Sequence, residues 1–172
     1  MNNRKAYDKI ISEELVRTTD RLLGHLDLEK SRQVLREFQD RQPNVVEFAT
    51  SLGKELSKEG QNLLVYLAMV LWKIFDSAAA GAFPEVFAED LDKFFETIEH
   101  FFLESKEQTE DGILNRFQEQ FPIQQPFVYQ YLLQELLHPD DDHASRPENE
   151  LLLLFMALNS LLNLFSQKYE EL

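Results

Sequence analysis

The fold turns on two stretches, VLREFQDRQP at residues 34–43 and ILNRFQEQFP at residues 113–122. Leucine, phenylalanine, glutamine and proline coincide in register, and Val/Ile and Asp/Glu are near matches. Each stretch is amphipathic at helical spacing and stops at a proline, which has no N–H to donate and whose ring collides with the preceding turn. Helices of like period always align to some degree. The shared proline stop is not explained that way.

The likeness extends on both sides. Residues 10–17, IISEELVR, resemble residues 86–93, VFAEDLDK, at an offset of 76. Gln42-Pro43-Asn44-Val45 with Phe48 resembles Gln125-Pro126-Phe127-Val128 with Tyr131, and the apolar run Leu63 to Trp72 answers Leu151 to Leu158. The offset grows along the chain, so every length change falls in a connection, where a duplicated fold tolerates insertion. A period of about 80 residues exceeds the 30-to-50-residue units of common solenoids. The expectation is a single helical domain over 1–172, made of pseudo-repeats at about 3–81 and 82–170 packed about a pseudo-twofold.

Within that frame eight helices are expected, and the class is all-α. Five glycines and six prolines sit mostly between periodic segments, and β-branched alternation is missing. The first helix covers about 3–23 and stops at Gly24; the second, 28–41, is capped by Asp27. Pro43 opens the third, whose Val45, Ala49, Leu52 and Leu56 share a face. Gly60 separates it from a fourth over about 61–77. Pro84 starts a fifth that reaches Ser105, with Phe87, Leu91, Phe94, Ile98 and Phe101 as its stripe and Phe95 and Phe102 widening it. A sixth runs from Thr109 to Gln120, and a seventh from Pro126 to before Pro139. Ser145 and Glu148 form a capping box for an eighth reaching about Lys168.

Composition narrows function mainly by exclusion. With 31 acidic and 17 basic residues the net charge is −14, which repels phosphate backbones and anionic headgroups, and no basic cluster relieves it. No nucleic acid and no membrane are expected as partners. The plain reading of the acidity is solubility; the functional one is an acidic docking face. Cysteine is absent, so disulfides, thiolate catalysis and sulfur-bound metal are excluded. No apolar run follows Arg4-Lys5 as a secretory signal requires, so the expected compartment is the cytoplasm. The two most apolar runs, as counted, fall short of the roughly 20 residues that span a bilayer.

The segment HPDDDH, residues 138–143, raises a metal site, because His nitrogen and Asp oxygen suit zinc, manganese or non-heme iron. The candidate ligands are Glu135, His138, Asp140, Asp142 and His143. Against them, consecutive aspartates on an extended loop diverge, and the alternation and glycine of a calcium loop are missing. Glu135-Leu-Leu-His138 has the Glu-x-x-His spacing of di-iron bundles but occurs once, where such centres need it twice. No nucleophile elbow, glycine-rich phosphate loop or His-Glu-x-x-His is present. Along the eighth helix Asn159, Ser160, Asn163, Ser166 and Gln167 share one face. They read as a pocket lining or, more plainly, as a helix seam.

The resulting expectation is a non-enzymatic interaction or adaptor protein without catalytic residues or cofactor. It would meet a protein partner, or a second copy as a homodimer, through an apolar groove with acidic rims. The alternative is a regulator that binds a small-molecule ligand between its helices. The third class is a metal-dependent enzyme using the 138–143 loop.

Overall fold

A computed structural model describes residues 9–105, 110–137 and 146–172. Among them no strand occurs. The described residues form eight α-helices: α1 Glu13–Gly24, α2 Leu28–Arg41, α3 Pro43–Leu52, α4 Lys58–Ala78, α5 Ala88–Glu104, α6 Glu110–Gln120, α7 Pro126–Leu137 and α8 Glu148–Glu170. A single 3-10 turn, Gly53–Glu55, follows α3.

Local chemistry sets the starts. Ser12 Oγ accepts from Leu15 N–H, Asp27 Oδ1 from Lys30 N–H, and Ser57 Oγ from Gly60 N–H, each satisfying a donor that the first helical turn leaves without a partner. Pro43 and Pro126 stand at the first positions of α3 and α7. Three expected boundaries move. α1 begins at Glu13, not near residue 3, with residues 10–12 outside the helix; residues 1–8 lie outside the described ones. α5 begins at Ala88, leaving Pro84 to Phe87 outside the helix and Phe87, an expected core residue, 62% exposed at the N-cap. Gly60 lies inside the first turn of α4 and separates nothing. α8 starts after Pro147; the Ser145 of the expected capping box lies outside the described residues.

The centre is the pair α4 and α8, which run parallel. At their starts, buried Glu150 of α8 accepts from Ser57 N–H at 3.2 Å and from Ser57 Oγ–H at 2.8 Å. A methyl group at Gly60 would overlap that carboxylate, so the close approach requires glycine. At their far ends Phe75 meets Phe165 and Tyr169 edge-on. Trp72, Leu71, Leu161 and Leu158 between them are inaccessible to water. By length and composition α8 could cross a membrane, since its residues 151–167 are uncharged, but 67% of its apolar window is buried in the fold.

The other helices surround this pair. α1 packs on α4 and α7, and α5 packs on α8 and α3. Two buried glutamines tie these crossings. Gln42, between α2 and α3, donates Nε2–H to Pro84 O at 2.8 Å and accepts from Val86 N–H at 3.0 Å. Gln125, just before α7, donates to Lys9 O at 3.0 Å and accepts from Ile11 N–H at 2.8 Å. Each amide thus pairs with an extended segment as a neighbouring strand would, and each grips the two residues that flank one position ahead of a helix start.

α2 and α6 pack differently. Phe38 of α2 lies 5.4 Å from the Trp72 ring. Phe117 of α6 and Phe121 just after it join Ile98, Phe101 and Met156 in a separate aromatic cluster with α5 and α8.

Candidate functional site

Where two helices diverge, their facing side chains line a groove instead of closing on each other. Between α3 and α5 such a groove holds about 460 Å³. Its floor is Phe48, Leu52, Leu91 and Phe95, with the two phenylalanine rings 5.6 Å apart and edge-on. Its rim carries Glu47, Glu55 and Asp92, and no Lys or Arg lines it. Among the described residues none of these three carboxylates has an ion-pair partner. At one end Asn44 is fixed by donating Nδ2–H to Glu85 Oε1 and Val86 O.

A second groove, about 530 Å³, lies between α2 and α4. Its floor is Leu35, Val65, Tyr66 and Met69, with exposed Leu28 at its edge, and its charged residues are Arg32 and Lys58. A third, about 330 Å³ between α7 and α8, is lined by leucines and Phe155, with Glu148 at its edge.

The remaining polar clusters are paired by charge, although buried Asp76 Oδ1 and Trp72 Nε1 make no hydrogen bond. Asp76, 4% exposed, receives Arg41 Nη1 at 2.8 Å and Lys73 Nζ at 3.8 Å, while Glu37 pairs with both cations. Arg41 also donates to Gly81 O and Phe83 O, and both cations lie over the Trp72 ring. Two acids and two bases cancel, and the knot ties the end of α2 to the end of α4. Tyr131 of α7 donates its hydroxyl proton to Asp20 Oδ1 of α1 at 2.9 Å. Burial raises its pKa well above the usual tyrosine range, and the negative charges and acceptor of Asp20, then Glu135, add to the rise. Tyr66 is raised by burial first and by the same two carboxylates. Both stay protonated, and Tyr131 acts as a hydrogen-bond donor.

Of the expected metal ligands, Glu135 lies on α7, near Tyr66 and Tyr131. His138, Asp140, Asp142 and His143 lie outside the described residues. Among the described residues no three His, Asp or Glu side chains stand close enough to hold an ion. On the polar face of α8, Gln167 is exposed and the other four side chains bond back to their own helix. Asn159, Ser160, Asn163 and Ser166 each donate to the carbonyl four residues earlier in the same helix, so no groups converge there on a ligand.

Compared with known proteins, the chain matches no family model, no curated protein and no solved structure. The reading of function therefore rests on these grooves. Sequence patterning missed Glu47, Asp92 and Glu55 because an exposed carboxylate on a helix looks the same whether or not another helix opens a groove beside it. One signal was available. Phe95 widens the α5 stripe, and besides packing against the core its ring helps to floor the α3/α5 groove.

Proposed function

We propose that this is a non-enzymatic interaction protein, and that its acidic α3/α5 groove receives a basic amphipathic segment of a protein partner. The observation that carries the reading is the pairing of an aromatic floor, Phe48 and Phe95, with three uncompensated carboxylates and no cation. Apolar anchors of a partner helix would desolvate on the two rings, and its Lys or Arg residues would meet Glu47, Glu55 and Asp92. The carboxylates chiefly set orientation and association rate, because rim charges stay hydrated. A protein segment fits better than a small ligand. The polar groups line the rim, whereas a ligand site gathers a few of them inside an enclosed cavity.

The two-half organisation belongs to the same reading. The clasps of Gln42 and Gln125 are interchanged between the halves, α1 on α4 parallels α5 on α8, and α3 on α5 parallels α7 on α1. These relations support a duplicated four-helix unit packed about an axis along α4 and α8. The clasps equate Ile11 with Val86, which shifts the register of the first and fifth helices from 76 to 75.

The test is fluorescence anisotropy with a labelled peptide of about 16 residues, carrying Leu and Phe at helical spacing and Lys on the opposite face. Glu47→Lys with Asp92→Lys is expected to weaken binding about tenfold or more and to flatten its salt dependence. Equal affinity for a scrambled peptide, or no change in the double variant, would end the proposal.

A further inference from the structure

Laying α4 on α8, residues 60–79 on residues 150–169, gives the same degree of burial at every position but two. The exceptions are Tyr66 against Met156 and Met69 against Asn159; in each the α8 residue is buried and the α4 residue half-exposed. Both exceptions line the α2/α4 groove. Two helices otherwise buried alike therefore differ only at these two positions beside the α2/α4 groove.

In the second half the cover is known. Met156 is shielded by Ile98 and Phe101 of α5 and by Phe117 of α6, an amphipathic helix presenting aromatic side chains. In the first half α2 is held by its C-terminal end, through Phe38 on Trp72 and Arg41 on Asp76. Its N-terminal end stands away from α4 and leaves Leu28 69% exposed. The surface that takes a helix in one half is open in the other.

The charges of the open groove select its occupant. Arg32 and Lys58 line it without a single carboxylate, although the chain carries 31 acidic residues against 17 basic ones. Among the described residues neither cation has an ion-pair partner. This is the reverse of the α3/α5 groove. We infer that the α2/α4 groove is a second docking surface, for an amphipathic helix with an acidic face, so that the protein can join two partners of opposite charge. Apolar anchors of that helix lie over Leu35, Val65 and Met69, and its carboxylates meet Arg32 and Lys58.

The probe is a labelled 18-residue peptide with Leu and Phe at helical spacing and Glu on the remaining face, titrated against the full chain. Its scrambled form, sodium decanoate and the lysine-rich peptide used for the α3/α5 groove serve as comparisons. Arg32→Glu with Lys58→Glu is expected to weaken the acidic peptide about tenfold or more while leaving the lysine-rich peptide and the melting temperature unchanged. Glu47→Lys with Asp92→Lys should do the reverse, so the two grooves fail or stand separately. A variant that leaves acidic-peptide affinity unchanged, or a scrambled peptide that binds equally, overturns the inference. So does decanoate binding that charge reversal abolishes where the patterned peptide does not bind, which would make the occupant a small anionic amphiphile. Sedimentation showing a dimer that Arg32→Glu with Lys58→Glu dissociates would replace the acidic partner with a second copy.

Discussion

α2 and α6 share a proline-stopped motif, yet one leaves a groove against the central helices and the other seals them. The helices themselves do not explain this. What differs is the connection that follows. A single residue, Gln42, joins α2 to α3, whereas residues 121–125 separate α6 from α7. Tethered that closely, α2 has to lie against α3 and α4. The longer connection frees α6 to reach α5, where Phe101 and Phe102 wait with Phe155 of α8. At the positions that the proposed repeat would pair with these rings stand Leu26, Asp27 and Val65, too little aromatic surface to hold a helix there. Connection length and a few ring-bearing positions thus account for one motif closing on the central helices and the other leaving a groove beside them.

The harshest way to break this contrast is to remove its central side chains. Phe117, 3% exposed within the sealed cluster, should cost about 3–5 kcal/mol as Phe117→Ala, through lost burial plus a cavity between rings. Met69→Ala, on the floor of the open groove, should cost about 1 kcal/mol or less, because its side chain already meets water. Urea denaturation of both variants measures the difference. Similar losses would mean that the groove is closed in solution, and the proposed docking surface would go with it.

The two glutamine clasps sharpen the comparison from the other side, since here the halves should agree. Gln42→Ala and Gln125→Ala each strand a buried backbone N–H and remove a second hydrogen bond, so each should lose about 2–3 kcal/mol. A cost confined to one of them would argue against equivalent halves. These clasps also show why some boundaries were legible and others were not. Asp27, Pro43 and Pro126 announce helix starts by chemistry within a turn, and α2, α3 and α7 begin where that chemistry puts them. The starts of α1 and α5 were read too early, and for one reason. Lys9 to Ile11 and Pro84 to Val86 are held out of helix by an amide 116 and 42 residues away, respectively, a partner that no local pattern reveals. The Gln-Pro dipeptides themselves stood out as matched. Their task did not, because Gln42 caps α3 in position while its side chain makes no capping bond. The grooves were the least legible of all, being properties of helix pairs distant in sequence.

The smallest expected effect concerns the far ends of the two central helices. α4 closes with Gly81 N–H donating to Asp76 O at 2.8 Å and Ala80 N–H to Ser77 O at 3.1 Å, the paired bonds of a Schellman stop. That stop puts a left-handed residue just past the helix, and the position is filled by Ala80 at φ 53°. A Cβ in that region crowds the following carbonyl, a strain glycine does not have. Ala80→Gly should therefore stabilise the protein by about 1 kcal/mol even after the extra freedom of glycine in the unfolded chain, raising the melting temperature by about 2–4 °C. α8 ends without such a turn, with Glu171 at φ −74° and ψ −16°. Glu171→Gly should gain nothing there and is expected to lower stability by a few tenths of a kcal/mol. Equal shifts in the two variants would show that the strain at Ala80 is relaxed in solution and that the central helices end alike.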